Sequence, residues 1–513
     1  MQENTKRLFG KRTAILFAFL SLKFALQYFL VDSAYDLHRD EFLHLDQGRH
    51  LAWGYLSVPP FTSWTSYVIL LLGNSVFWVK FFPALYGALT LWMVWKAIEV
   101  LKGTLFAQVL GASCVLLSAL LRLNMLYQPN SFDVLSWTAL YFILIQYIAT
   151  QNRKWWFAAA FVFALGFLNK YNIVFLLIGL FPALLLTEHR RLFRTYHVYA
   201  AIGVALLLVS PNLVWQYHHG FPVIHHLREL SETQLEHVNR IDFLKNQLLF
   251  FAGGLVVLFA SFYALLFYPP YRRYRPFLFA IVFTLAAFVY CKAKDYYAIG
   301  IYPIYIAFGA VYLGDVLRDG WKKKYLQPLL LLLPVLLFLP LYNVAFPNRS
   351  PQHIVQHPEA YKRLGMLRWE DGNDHALPQD FADMLGWNEL AQKVDRAYSK
   401  LHGHTLILCD NYGQAGAINY YTQQQAQAVS FNADYINWFD LSKRYDNVIR
   451  VKEAGNTATE LQETGPFFEQ AVLADSITNS YAREFGTSVF VFTGARIDVR
   501  KRIKEEIEEV SWE

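Results

Sequence analysis

The chain has 513 residues, of which 55% are hydrophobic and 17% are charged, and its formal net charge is +6. Because a soluble domain normally carries about a quarter charged residues, this composition argues against a wholly soluble protein. The positive residues lie in loops beside apolar runs. Their position favours membrane topology signals and argues against nucleic acid as a partner.

Apolar runs separated by short polar loops fill the chain from residue 13 to residue 342. A transmembrane helix needs about 20 mainly apolar residues to cross roughly 30 Å of hydrocarbon. The predicted spans are 13–31, 77–100, 104–121, 132–150, 155–169, 172–187, 197–215, 247–268, 276–291, 296–316 and 326–343. The sequence therefore predicts a polytopic α-helical membrane protein with about 11 transmembrane helices, and with a margin of one or two because two adjacent runs are short.

A change in composition marks a second domain. Residues 1–345 form the predicted transmembrane domain, whereas residues 346–513 contain Asp, Glu, Asn and Gln throughout, as a soluble domain does. In this second part HTLILCD, QAVSF and TSVFVFTG are predicted as strands, and NYGQAGAINYY as a turn into a helix. The charged segment RKRIKEEIEEV is predicted as a final helix. The pattern indicates a small α/β domain.

Basic residues mark one side of the predicted membrane domain. They precede the first span and recur in every second loop, at Lys6, Arg7, Lys11, Arg12, Lys102, Arg153, Lys154, Arg190, Arg191, Arg194, Arg272, Arg273, Arg275, Arg318, Lys322, Lys323 and Lys324. Short loops rich in Lys and Arg face the cytoplasm, so the amino terminus is predicted to be cytoplasmic. With an odd number of spans, the C-terminal domain is predicted to lie outside the cytoplasm.

The loops on the outer side contain the candidate catalytic acids. The first of them, residues 32–67, carries the adjacent pair Asp40 and Glu41, and Asp133 lies at the outer mouth of a later span. A positioned carboxylate can act as a general base. The alternatives are a solvated amphipathic helix on the membrane surface for the pair, and a first-turn acid that interacts with the helix dipole for Asp133.

Three cations are predicted at the same depth as these acids. Arg122, Lys170 and Lys294 each border an apolar segment, and Tyr296 and Tyr297 follow at the start of a span. Cations and tyrosine hydroxyls at the membrane interface suit a lipid phosphate. The alternative for Lys170 is a lysine that snorkels towards the interface.

A long outer loop is predicted at residues 211–246. Its length exceeds that of ordinary connections and argues for a lid or a binding loop. Within it, Trp215 and Gln216 are predicted to shape the entry of an acceptor or a carrier. The loop also contains four candidate metal ligands, namely His218, His219, His225 and His226. Because no ligand spacing supports a metal, packing or exposure is favoured for them, and a divalent metal is left open but not assigned.

Several segments match, in chain order, the motifs of one enzyme family. They are RDEFLHLDQGRHLAWGYLSVPP, YQPNSFDVLSW, NKYN, SPNLVWQYHHGFPVIHHL, KAKDYYAIGIYP, and DNYGQAGAINYY followed by VSFNADYINW. Together they resemble the bacterial branch of glycosyltransferase family 39, which has the GT-C fold and is related to the protein O-mannosyltransferases and the lipid A aminoarabinose transferase. The resemblance implies transfer of a sugar from a polyprenyl-phosphate carrier to a hydroxyl acceptor, on the periplasmic face of the bacterial inner membrane.

The same resemblance implies roles for individual residues. Asp40 matches the catalytic acid of the family, with Glu41 beside it, and Asp133 matches the acid of the second loop. Lys170 and the segment 294–297 match positions around the carrier phosphate. The predicted reaction is an inverting transfer in which Asp40 is the general base, the other acids assist or orient it, and the cations bind the departing phosphate.

Two departures from the family pattern are visible. Bacterial relatives commonly have glutamate at the position of Gln414, and Phe42 and His44 replace tyrosines of the first loop. The identity of the acceptor stays open between lipid A, another glycolipid, a polysaccharide and a protein. The C-terminal domain is predicted to cover the active site or to help select the acceptor. The alternatives are a transporter or flippase of a lipid-linked sugar, and a sugar-lipid binding protein that lost activity. The scarcity of charges inside the predicted spans argues against the transporter.

Overall fold

The computed structural model of the chain describes residues 2–233 and 238–510. Among these residues, seven helices are long and apolar enough to cross a membrane: Gly10–Phe29, Val76–Val100, Asn130–Thr150, Tyr196–His218, Pro269–Tyr290, Asp295–Val316 and Lys322–Tyr342. Two bent pairs raise the number to nine if each pair is one span: Tyr171–Leu185 with Glu188–Arg194, and Arg240–Leu249 with Ala252–Phe267. The chain is therefore a polytopic helical membrane protein.

Shorter helices complete the chain. Three of them are apolar: Phe61–Leu71, Leu105–Leu116 and Lys154–Asn169. The other α-helices of five or more residues are Arg39–Gln47, Ala119–Leu123, Pro222–Thr233, Pro351–Gln356, Glu359–Arg363, Trp387–Tyr398, Tyr412–Tyr421, Thr457–Thr464 and Val499–Val510.

The predicted number of eleven spans is not confirmed. The predicted span 104–121 consists of the separate helices Leu105–Leu116 and Ala119–Leu123. The second of these helices begins after Ser118, whose hydroxyl accepts the backbone N–H of Leu120. Such a cap satisfies a donor at the start of a helix and so favours a break at that point.

Most of the described part of the predicted loop 211–246 is helical, and its position on the outer side stays a prediction. The helix Tyr196–His218 continues through Pro211, and the helix Pro222–Thr233 follows it. Proline is tolerated inside a transmembrane helix because neighbouring helices and side chains satisfy the freed backbone groups. Residues 234–237 of the predicted loop lie outside the described part of the chain.

The chain divides into two compact units, neither of which is continuous in sequence. The first comprises Met1–Phe29, Ala52–Thr62 and Phe77–Phe346, and the second comprises Leu30–Leu51, Ser63–Val76 and Pro347–Glu513. The main boundary thus falls after Phe346, but the part of the first outer loop that carries Asp40 belongs to the second unit.

Helices of the first unit pack closely around large buried side chains. Trp95, Trp137 and Tyr305 are fully buried. At Gly309, a side chain would collide with the backbone oxygen of Val257. Only glycine allows two helices to approach so closely, as is common between transmembrane helices.

The second unit contains a five-stranded sheet. Its strands are β1 Thr405–Cys409, β2 Ala428–Ser430, β3 Asn447–Lys452, β4 Phe468–Ser476 and β5 Ser488–Ala495. The order is β2-β1-β3-β5-β4, with β1 parallel to β2 and β3, and β5 antiparallel to β3 and β4. In register, Ile407 of β1 lies opposite Ala428 of β2 and Ile449 of β3.

Three of the five strands were predicted, as β1, β2 and β5, together with the helices Tyr412–Tyr421 and Val499–Val510. β4 was missed because this edge strand is mostly exposed and shows no apolar alternation. β3 was also missed, because it interleaves the polar residues Asn447, Arg450 and Lys452 with three apolar residues and so does not stand out as an apolar run.

Candidate functional site

The helix Arg39–Gln47 in the second unit begins with a capping box that fixes the position of Asp40. His38 Nδ1 accepts the backbone N–H of Asp40 at 3.2 Å, and Glu41 Oε2 accepts the backbone N–H of His38 at 2.7 Å. The two bonds satisfy donors at the start of the helix. The sequence HRDE thus places Asp40 in the first turn, where the helix dipole stabilises a carboxylate.

The Asp40 carboxylate is hydrogen-bonded and yet partly accessible. Its Oδ1 accepts the Tyr412 hydroxyl at 2.6 Å, and its side chain is 37% exposed. Burial acts to raise the pKa of this carboxyl. The interaction with His38, the hydrogen bond from Tyr412 and the charge of Arg39 together outweigh burial, so the pKa lies below its ordinary value. Asp40 is therefore ionised at neutral pH and able to accept a proton.

Glu41 has different surroundings, although it is adjacent to Asp40. Its side chain is fully buried and accepts the backbone N–H of His38. The structure thus separates the two acids of the predicted pair, because only Asp40 is partly accessible. The catalytic role of Glu41 stays a prediction, and its geometry favours a role in positioning Asp40.

Tyr412 approaches Asp40 because its helix starts directly after β1. Asn411 caps this helix by accepting the backbone N–H of Gln414 at 3.0 Å. Farther along, a Cβ at Gly416 would lie 2.6 Å from the Phe42 Cβ. Glycine is therefore required for the helices Tyr412–Tyr421 and Arg39–Gln47 to pack this closely.

Asp46 holds the other end of the helix Arg39–Gln47. Its Oδ2 accepts Asn419 Nδ2 and the Tyr435 hydroxyl, each at 2.7 Å. Burial raises the pKa of Asp46, and Arg49 together with these two bonds opposes the rise. Contacts at both ends thus fix the helix that carries Asp40.

Gln414, where bacterial relatives commonly have glutamate, is buried and neutral. Its Nε2 donates to Glu484 Oε2 at 2.7 Å, and its Oε1 accepts the backbone N–H of Asp410 at 3.1 Å. Asn411 and Thr487 donate to the same Glu484 carboxylate at 3.1 and 2.9 Å. The negative charge of this cluster therefore belongs to Glu484, and not to the residue at position 414.

Asp133 lies in the first turn of the helix Asn130–Thr150, in the first unit, and is buried. Its Oδ1 accepts Trp137 Nε1 at 3.1 Å, and its Oδ2 accepts Asn172 Nδ2 at 2.9 Å. Asn172 also donates to the backbone oxygen of Tyr297 at 2.9 Å. Because protein donors bind both oxygens, the geometry favours an anchoring role, and the catalytic role of Asp133 stays a prediction.

Lys170 is a cation of the same cluster. Its Nζ donates to Asn130 Oδ1 at 2.7 Å and lies over the rings of Tyr297 and Tyr296, at 4.2 and 5.3 Å from their centroids. An attractive charge interaction links it to Asp133. The amide and the ring faces orient the ammonium group without neutralising it, so its charge is available to an anion.

The other two predicted cations differ in position. Lys294 directly precedes the 3-10 helix Asp295–Ile301, and its charge repels that of Lys170. An anion that binds both ammonium groups would relieve this repulsion. Arg122 lies on the short helix Ala119–Leu123 and is partly buried. Its part in phosphate binding stays a prediction.

Trp215 and Gln216 lie in the last turns of the helix Tyr196–His218. Gln216 is buried, and its Nε2 donates to the Tyr171 hydroxyl at 3.1 Å. The ring of Trp215 stacks on His219 at 4.1 Å. Both side chains thus have structural contacts, and their role in acceptor or carrier entry stays a prediction.

Two histidines of this segment, His218 and His219, have ring contacts. His219 stacks on Trp215, and the ring of His218 packs edge-on against Tyr217. Within residues 2–233 and 238–510, no group of three or more His, Cys, Asp or Glu residues could hold a metal ion. The contacts of these two histidines favour packing over metal binding.

Comparisons with known proteins identify the class of fold. The chain resembles the crystal structure of ArnT from Cupriavidus metallidurans bound to undecaprenyl phosphate, with a TM-score of 0.61, 13% identity, and coverage of 95% of this chain and 99% of that chain. The apo structure of the same protein matches with a TM-score of 0.59, 14% identity and the same coverage. The chain therefore has the fold of the GT-C glycosyltransferases, which confirms the predicted resemblance.

Sequence comparisons agree with this fold. The model of the family described as dolichyl-phosphate-mannose-protein mannosyltransferase, PMT_2, matches residues 57–215, which include Asp133 and Lys170 but not Asp40. The lipid A galacturonosyltransferase RgtD of Rhizobium johnstonii is 27% identical over 246 residues, which cover 45% of this chain and 49% of that protein. The chain thus spans about half the length of the curated relative it matches.

Tyr412, which contacts Asp40, and Asn172, which contacts Asp133, were not predicted as functional residues from the sequence. Both lie inside motifs that carried the family resemblance, DNYGQAGAINYY and NKYN. These motifs were the only indication in the sequence that the two residues are functional. Tyr412 is 372 positions away from Asp40 in the chain, so no local pattern predicts their contact.

Proposed function

We propose that the chain is an inverting glycosyltransferase. It moves a sugar from a polyprenyl-phosphate carrier to a hydroxyl group of a glycolipid, lipid A, a polysaccharide or a protein, on the outer face of the bacterial inner membrane. The observation that carries this proposal is the Asp40 carboxylate, which is partly exposed and oriented by Tyr412. The names of the relatives support the donor and one acceptor class, since ArnT binds undecaprenyl phosphate and RgtD is a lipid A galacturonosyltransferase.

In the proposed reaction, the acceptor oxygen attacks the anomeric carbon from the face opposite the phosphate. A bond forms between these two atoms while the bond from the anomeric carbon to the phosphate oxygen breaks, and the electron pair leaves with the phosphate. Asp40 takes the proton of the acceptor hydroxyl, a contribution of about 10²–10⁴ in rate. The anomeric configuration inverts because no covalent intermediate forms with the protein.

Cations of the first unit are assigned to the departing phosphate. Lys170 is oriented by Asn130 and the two tyrosine rings, and Lys294 adds a second positive charge. Charges aimed at the leaving oxygens stabilise the transition state without reorganisation. Asp133 supports this arrangement by holding Asn172, which in turn holds the backbone of Tyr297.

A transporter or flippase of a lipid-linked sugar is the second candidate. It is favoured by Lys23, which lies inside the span Gly10–Phe29, is buried and donates to Gln27. Buried cations inside spans often belong to transport pathways.

Purified protein in liposomes that contain a polyprenyl-phosphate sugar distinguishes the two candidates. After addition of an envelope glycolipid extract, mass spectrometry measures the polyprenyl phosphate that is released. Release that depends on the extract supports the glycosyltransferase. Movement of the intact lipid across the vesicle membrane, without release, overturns the proposal in favour of the flippase.

A further inference from the structure

A cavity in the second unit lies at the amino-terminal edge of the three parallel strands. The segments that lead into them, 403–406 for β1, 425–429 for β2 and 438–445 for β3, line a cavity of about 330 Å³. This volume falls within the range of about 300–1,000 Å³ that is usual for small-molecule sites. Open α/β sheets commonly bind ligands at the opposite, carboxyl edge, so it is the side chains of this cavity, and not its place in the sheet, that indicate a site.

The cavity combines aromatic rings with hydrogen-bonding side chains. Tyr398, Trp438 and Tyr445 supply the rings, and Gln425 and Gln427 supply amides. An amide presents a donor and an acceptor side by side, which matches the neighbouring hydroxyl groups of a sugar. Aromatic rings offer broad apolar faces for the C–H surface of a sugar ring.

Contacts behind the cavity hold its aromatic walls in place. The ring of Trp438 stacks on His50 with centroids 4.3 Å apart and planes at 12°, and Gln427 Nε2 lies 3.3 Å from His50 Nε2. The Tyr445 hydroxyl donates to the backbone oxygen of Asp440 at 2.8 Å. Side chains fixed in this way lose little conformational freedom when a ligand binds.

Charge in the cavity favours a neutral ligand. Asp440 and Lys443 both line it, and they form an ion pair at 2.9 Å. Asp440 also accepts the hydroxyl and the backbone N–H of Ser442. Because the lysine is already paired, the cavity offers less to a phosphate or a uronic acid than to uncharged hydroxyl groups.

We infer that this cavity binds a neutral saccharide of one or two rings. The inference goes beyond the proposed sugar transfer and does not depend on it, because binding here involves neither Asp40 nor Lys170. The saccharide belongs either to a glycolipid or to a polysaccharide, which share the same ring and hydroxyl chemistry.

The test measures binding to the full chain in lipid nanodiscs, since maltoside detergents carry a saccharide head group. Saturation-transfer NMR and titrations use maltose, N,N′-diacetylchitobiose and methyl β-D-galactopyranoside as probes, without any donor lipid. We expect at least one probe to bind the wild-type chain. Trp438→Ala should weaken binding about tenfold, equivalent to one lost ring contact of about 1.4 kcal/mol, and Gln425→Ala about fivefold.

Matched controls are available in the same unit. Trp369 also stacks on a histidine, His375, at 3.7 Å and 14°, but it does not line the cavity. Gln424 is an exposed neighbour of Gln425 that does not line it either. Trp369→Ala and Gln424→Ala should bind as the wild type does.

Two results would overturn the inference. One is that none of the three probes binds the wild-type chain. The other is that Trp438→Ala and Gln425→Ala both retain wild-type affinity. Gln425→Ala keeps the test decisive if loss of the Trp438 ring disturbs folding. Displacement of a bound probe by glycolipid in the nanodisc or by added polysaccharide then identifies the source of the saccharide, and either displacement supports the site.

Discussion

At the scale of single residues, Asp40 and Tyr412 have to be considered together. The hydrogen bond from Tyr412 is among the interactions that lower the pKa of Asp40 against the effect of burial. A general base must be ionised to act, so a lowered pKa extends activity towards acidic pH. The same bond orients Oδ1 and leaves part of the carboxylate accessible to an acceptor.

Tyr412→Phe should move the acidic limb of the pH–activity profile to higher pH. Without the hydrogen bond, one of the interactions that oppose burial is lost and the pKa of Asp40 rises, so protonation removes the base at a higher pH than in the wild type. The measurement is kcat/KM for sugar transfer as a function of pH. Tyr420→Phe is the control, because the ring of Tyr420 packs on Phe42 and lies on the same helix. An unshifted limb in Tyr412→Phe would contradict the assigned role of the bond.

Lys170 carries the second prediction at this scale. Lys170→Gln should reduce kcat/KM for the lipid donor by about 10²–10³, since it removes a charge aimed at the departing phosphate. Lys245→Gln is the control: Lys245 is exposed and forms a surface pair with Asp242 at 3.0 Å, which contributes little. Equal activity of the two variants would exclude Lys170 from phosphate binding.

At the scale of elements, the capping box of the helix Arg39–Gln47 explains the presence of two adjacent acids. Asp40 occupies the partly exposed position of the first turn, whereas Glu41 accepts the backbone N–H of His38 from a buried position. In the proposed mechanism Asp40 therefore accepts the proton, and Glu41 holds Asp40 in position.

Variants of Glu41 test this division. Glu41→Ala should lower the free energy of unfolding by about 0.5–2 kcal/mol, as loss of a cap does, and should reduce kcat because Asp40 is less firmly held. Glu41→Gln retains an oxygen acceptor for the His38 N–H and should restore most of both quantities. Thermal unfolding and transfer kinetics measure the two effects. If Glu41→Gln were as impaired as Glu41→Ala in kcat but not in stability, the negative charge of Glu41 would be required for catalysis. That result would contradict a role limited to positioning Asp40.

At the scale of the whole molecule, structural features that depend on a local sequence pattern could be predicted from the sequence. Apolar runs of about 20 residues predict spans by themselves, and three strands with distinct polarity patterns were found. The break at Ser118 was not predicted, because it depends on a capping hydrogen bond. The contact between Asp40 and Tyr412 joins residues 372 positions apart, which no local pattern encodes.

The predicted orientation can be tested with the native cysteines. Cys291 is exposed, whereas Cys114 and Cys409 are buried. A maleimide that cannot cross membranes should label Cys291 in intact spheroplasts, and Cys291→Ala should remove the label. In that background, Lys323→Cys in the basic first turn of the helix Lys322–Tyr342 should react only after permeabilisation. The reverse pattern would contradict the assignment of basic loops to the cytoplasm.

The central claim is that Asp40 is the base of a sugar transfer, and the transfer rate of Asp40→Asn tests it most directly. Asp498→Asn is the matched control, because Asp498 is an exposed acid of the same unit whose pKa is also lowered, in its case by a hydrogen bond from Arg500. In the liposome assay, acceptor-dependent release of polyprenyl phosphate should fall by about 10²–10⁴ in Asp40→Asn, with unchanged thermal stability, and should be unaffected in Asp498→Asn. Near-wild-type release by folded Asp40→Asn would contradict the account.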